Sequence, residues 1–300
     1  MCPNLEILSL DSFWDPESPL RRFLRGLGRQ AITIPSRVLS NLRVVKLSQL
    51  YRDDVSGLVE VFPVLGHLRS VELLAVNSCF KPITSLPTLP NSASRLTKLH
   101  FRCPPINFVQ LGAIVRHCEA LKELKYIQPE RTWDYNSSKW DPRIIGHALS
   151  QHLSTLSVLE LDIGRLLPHA PSPYNPSAAG NWDCREDHYA DEYRSSGYPP
   201  EIPCIRSLSR FTALKDLTVN ISALLGWPDL ARTSYPSRFR LIRHLPPNLE
   251  RLEILDYYFG ECAEYTKQMR HLLKEQARMP NLKDIIGVTV PPPKQRARRR

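Results

Sequence analysis

The sequence predicts an α/β repeat solenoid: one short strand per repeat joins a continuous parallel sheet, and irregular helices return the chain behind it. Three observations predict this. An apolar-x-x-apolar-x-apolar pattern recurs eight times in order along the chain. Amphipathic stretches with helical spacing lie between the copies. The chain has 300 residues, 42% of them hydrophobic, which is long for one compact core. A stacked array avoids that limit because each unit buries its face only against its neighbours.

The copies are Leu5-Leu8-Leu10, Leu42-Val45-Leu47, Val71-Leu74-Val76, Leu96-Leu99-Phe101, Leu121-Leu124-Tyr126, Leu156-Leu159-Leu161, Leu214-Leu217-Val219 and Leu249-Leu252-Ile254. A worn ninth runs Leu282-Ile285, with Gly287 in place of the third apolar residue. The steps between copies are 37, 29, 25, 25, 35, 58, 35 and 33 residues. The shortest match the period of leucine-rich repeats, and the longer ones call for insertions. Within a copy the last positions alternate, as a strand requires, so Leu8 and Leu10 point to the core while Ile7, Ser9 and Asp11 point away. The third copy leaves a second register open, Leu68-Val71-Leu73, which exchanges the two faces. Helical stripes follow at Leu20-Phe23-Leu24-Leu27, Val55-Leu58-Val59-Phe62, Phe108-Leu111-Val115-Cys118, Ile145-Ala148-Leu149-His152 and Cys262-Tyr265-Met269-Leu272. The expected form is a leucine-rich-repeat horseshoe over residues 1–290, with the strands on the concave face and the helices on the convex one.

Composition narrows the function classes. With 27 prolines and 12 glycines, rigid breaks outnumber flexible ones, which suits short elements. The net charge of +10 is concentrated: Lys294, Arg296, Arg298, Arg299 and Arg300 supply half of it. Residues 291–300 therefore read as a basic disordered tail on a body of ordinary charge. Seven cysteines without a CxxC read as reduced, buried residues rather than a disulfide framework or zinc site. No apolar leader and no run of 18 apolar residues occur, so the expectation is a cytoplasmic or nuclear monomer without membrane spans.

The residues carry a family resemblance. Cys2-Pro3-Asn4-Leu5-Glu6-Ile7-Leu8-Ser9-Leu10 and His117-Cys118-Glu119-Ala120-Leu121-Lys122-Glu123-Leu124 resemble repeat openings in F-box proteins with leucine-rich repeats. Val71-Glu72-Leu73-Leu74-Ala75-Val76-Asn77-Ser78-Cys79 is similar to their cysteine-containing subtype. The irregular spacing resembles that of divergent fungal members. The resemblance implies a repeat domain that holds a substrate protein, in the manner of a ubiquitin-ligase adaptor. An F-box would also dock a Skp-type adaptor. The sequence given begins inside a repeat and shows no F-box, so that partner is not expected for it.

The candidate partner-binding residues follow from the alternation. They are Lys46, Lys98, His100, Arg102 and Lys125, then Glu160, Asp162, Asp216 and Asn220, then Arg251 and Glu253, a face grading from basic to acidic. The 58-residue step holds an insertion at 165–203 with seven prolines and six acids. Two readings stay open for it: a disordered surface loop, or a binding loop that uses Trp182, Tyr189 and Tyr193. Gly26-Leu27-Gly28-Arg29-Gln30-Ala31 has dinucleotide-loop spacing but closes a helix instead of leaving a strand. Asp183, Cys184, Asp187 and His188 lack a second ligand cluster for a metal. No GxSxG, HExxH or P-loop is present. The chain is expected to be a protein-binding module, not an enzyme, and to need no cofactor. The alternative is a nucleic-acid-associated protein that uses the tail and the Lys98/Arg102 patch.

Overall fold

The computed structural model describes residues 5–11, 41–48, 73–77, 95–102, 106, 108–128, 142–163, 204–205, 207–226, 240–260 and 262–289. Within them the chain is α/β, built on a single nine-stranded parallel sheet whose spatial order is the sequence order. The strands are β1 (Ile7–Asp11), β2 (Val44–Ser48), β3 (Leu73–Asn77), β4 (Lys98–Arg102), β5 (Glu123–Ile127), β6 (Val158–Asp162), β7 (Asp216–Asn220), β8 (Arg251–Leu255) and β9 (Asp284–Ile286). Each strand coincides with the end of one copy of the apolar pattern. The open register of the third copy resolves in favour of Leu74: it pairs with Val45 and Leu99 and is fully buried.

Register makes the copies equivalent. Leu8, Val45, Leu74, Leu99, Leu124, Leu159, Leu217, Leu252 and Ile285 align across all nine strands. A second repeated contact sits one residue before the strands. The carbonyl of Glu6 accepts from the N–H groups of both Arg43 and Val44, and that of Thr97 from Lys122 and Glu123. Lys122, Ser157, Lys215 and Glu250 receive the next copy in the same way. A parallel strand needs its neighbour for both donors and acceptors, so this shared carbonyl locks where β2 and β5 to β9 begin.

Helices α1 (Phe108–His117), α2 (Pro142–Leu149), α3 (Ile221–Leu225) and α4 (Ala263–Glu275) occupy the connections. The stripes expected on α1, α2 and α4 are buried throughout, and so are Cys118, His152 and Cys262 just beyond the helix ends. The stripes expected near residues 20–27 and 55–62 lie outside the described residues. Aligned strand leucines and helix residues form one apolar cluster. Phe108 of α1 meets Tyr126 of β5 edge to face at 5.6 Å, and the Tyr126 hydroxyl donates to the Ile106 carbonyl at 2.8 Å. Among the described residues, the helices therefore lie on the apolar face of the sheet, and the other face carries the polar side chains. The short strand β9 ends where Gly287 takes φ 80°, against the Ile254 carbonyl where a Cβ would collide. Among the described residues, no helix is long and apolar enough to cross a membrane.

His152 bonds the copies together inside the core. Its Nδ1 accepts from the Leu121 N–H at 3.3 Å, and its Nε2 donates to the Val115 carbonyl at 3.1 Å. Burial lowers its pKa below 6.5, against the opposing bond to Val115. A depressed histidine stabilises the fold fully above its unfolded pKa and loses that contribution as pH falls. The urea midpoint should therefore drop between pH 7.5 and pH 5. His100, His244 and His271 are also lowered and act with the same sign. His152→Gln should be less stable at pH 7.5 but show a shallower drop; parallel pH profiles would mean that His152 is not the group responsible.

Candidate functional site

The polar face is ordered by the same register. One row carries Lys98, Glu123, Val158, Asp216, Arg251 and Asp284, and the next carries Lys46, His100, Lys125, Glu160, Thr218 and Glu253. Consecutive members of a row are one strand apart, about 4.8 Å, except Lys46 and His100, which have Ala75 of β3 between them.

The basic part is knitted together by Glu123, which the sequence reading did not single out. Its carboxylate lies 3.6 Å from Lys98 Nζ, 2.9 Å from His100 Nε2 and 3.3 Å from Lys125 Nζ. Burial works to raise the Glu123 carboxyl, but His100 and Lys125 outweigh it and hold it below the ordinary value. His100 is itself lowered, by burial first, with Glu123 pulling the other way. His100 Nε2 and the Glu123 carboxylate are within hydrogen-bonding distance, and the two lysine ammonium groups complete the cluster. The Lys98/Arg102 patch is thus partly neutralised from within. The signal for Glu123 was available in the alternation, since it occupies the outward position of β5 before Lys125.

The acidic part begins at Glu160, 3.8 Å from Lys125. Burial raises the Glu160 pKa; Lys125 opposes this, while Asp162, Glu253 and Asp216 raise it further. Arg251 bridges two strands, 3.1 Å from Asp216 and in contact with Glu253. The Thr218 hydroxyl donates to Glu253 at 3.3 Å.

Asn220, expected to face a partner, is instead fully buried. The chain turns into α3 at Ile221, and the Asn220 side-chain oxygen accepts the Ile163 N–H at 2.6 Å beyond the last β6–β7 backbone pair. Its amide nitrogen donates to Asp256, which sits at φ 56°, at 2.6 Å and to Asp162 at 3.5 Å. It is a structural clamp across the ends of three strands, which alternation alone could not distinguish from a surface asparagine. Trp182, Tyr189 and Tyr193, the insertion at 165–203 and the tail at 291–300 lie outside the described residues. So do Asp183, Cys184, Asp187 and His188. The described residues contain no group of three or more His, Cys, Asp or Glu side chains placed to hold a metal.

Among the described residues, what this face offers is fixed charge in rows. Of the described cysteines, Cys118 has its thiol pushed up to about 12 by burial, which suppresses the reactive thiolate. Comparison with family models, with curated proteins and with solved structures finds no match to the chain.

Two outcomes follow from the clamp and the knot. Asn220→Ala should destabilise the fold by about 1–3 kcal/mol in urea denaturation, because the Ile163 N–H loses its acceptor; an unchanged midpoint would rule out the clamp. In Glu123→Gln the His100 titration midpoint, followed by NMR, should move further down, because both effects of Glu123 on that ring raise its pKa.

Proposed function

We propose that the chain is a leucine-rich-repeat solenoid acting as a protein-interaction module, with the polar sheet face as its docking surface and no chemistry of its own. The observation that supports this reading is the pairing of nine strands in sequence order and in one register. That arrangement presents ordered side-chain rows on a face that the described helices leave uncovered. Strands repeat every 4.8 Å or so, whereas side-by-side helices need about 8–10 Å. A sheet with helices on one side only therefore curves toward its strand side, which makes the polar face concave. The charge grading, Lys46 to Lys125 and then Glu160 to Glu253, suits a partner whose own charges are complementary and so fixes its orientation. On the resemblance to F-box-type repeat domains, we extend the reading to recognition of a substrate protein.

The test is site-specific photo-crosslinking in cell lysate. A photoreactive residue placed at Lys98 or at Arg251 should give adducts with discrete proteins, and the same group at Lys274 on α4 should not. Adding Lys46→Glu and Arg102→Glu, which leave the Glu123 contacts intact, should reduce adducts with an acidic partner while circular dichroism stays unchanged. Equal adducts at all three positions, or none from folded protein, would reject the face as the docking surface.

A further inference from the structure

We infer that the basic residues Lys294–Arg300 of this chain dock in cis on the acidic half of its own polar face, over β6 to β9. The inference rests on the reading of that face as a docking surface and specifies what occupies part of it.

Charge complementarity carries the argument. The outward positions of β6 to β9 hold Glu160, Asp162, Asp216, Glu253 and Asp284 against a single cation, Arg251. Arg251 already faces both Asp216 and Glu253. Glu160 meets Lys125 only at 3.8 Å, while three other carboxylates bear on it. Counting the outward strand positions alone, five carboxylates stand there with one arginine. The tail supplies five cations within seven residues.

Geometry permits the contact. The last strand, β9, is hydrogen-bonded to β8 and ends at Ile286. Residues 287–289 follow, with Val288 packed against the core, and from Thr289 five residues lead to Lys294 and eleven to Arg300, tethers of up to about 16–18 Å and 36–40 Å. Glu253 is one strand from β9 and Glu160 three strands away, roughly 5 and 14 Å. The tether therefore reaches every carboxylate of the half-face. A linker of this length holds its end at an effective concentration on the order of millimolar, enough to populate a contact that is weak between separate molecules. A docked tail would leave the basic half open and make a basic partner compete for the acidic half.

The experiment uses a fluorescent peptide with the sequence of residues 290–300 and reads its anisotropy at low salt. One protein is the unaltered chain. The second carries Lys294→Gln, Arg296→Gln, Arg298→Gln, Arg299→Gln and Arg300→Gln, and the third adds Glu160→Gln and Glu253→Gln to these. The neutral-tail chain should bind the peptide about tenfold or more tighter than the unaltered chain, whose own tail competes. Binding to the third protein should fall at least several-fold, and salt should weaken all binding. Equal binding to the first two proteins, or no binding to the second, would overturn the inference. The crosslinking at Lys98 and Arg251 separates the two levels: adducts that persist in the neutral-tail chain leave the docking-surface reading intact even if the tail does not dock, and their absence removes that reading as well.

Discussion

Parallel pairing of one short strand per copy with the next is the constraint on which this molecule depends. A five-residue strand cannot satisfy its own backbone, and in a parallel ladder its donors and acceptors belong to its two neighbours. The carbonyl that receives two N–H groups from the following copy fixes the offset between copies before side chains contribute. Once the offset is fixed, the aligned leucines stack on one face and the polar rows on the other. A slip of one residue would exchange the two faces. Connections are then free to vary, provided they return the chain to the next ladder position. The step between β6 and β7 is the longest in the chain, and the pairing continues across it in register.

Variation between copies leaves irregular gaps, and buried polar side chains close them. His152 ties the end of α1 to the start of β5, Asn220 closes the end of β6, and Gln268 of α4 accepts the Leu241 N–H at 3.1 Å. The Tyr265 hydroxyl caps the Gly226 carbonyl beyond α3. Each satisfies a backbone group that an ideal repeat would have paired with another backbone, and an unpaired buried group costs about 1–3 kcal/mol. Such residues look like surface polar residues in a one-dimensional reading because their partners lie tens of positions away.

The same logic governs the polar face. Exposed charge pairs contribute little to stability, typically about 0–1 kcal/mol each, so the arrangement around Glu123 is better understood through the field it sets than through folding energy. By occupying Lys98, His100 and Lys125, Glu123 reduces the positive field over β4 and β5, while the carboxylates from β6 to β9 reinforce one another around Glu160. Among the described residues, the face is electrostatically asymmetric, with its carboxylates gathered toward β6 to β9.

The sequence by itself determined the strands, because the pattern that names each copy is local and recurs: two core apolar residues separated by one position show the alternation of a strand that buries one face. It also determined the stripes of α1, α2 and α4, which the structure buries as the spacing requires. Only the tertiary structure decided the register of β3, which rests on what Leu74 meets in β2 and β4. It likewise decided that Asn220 belongs to the interior and that Glu123 organises the basic side chains. Those properties depend on residues brought side by side by strand pairing from separate copies, at sequence separations that no periodicity encodes.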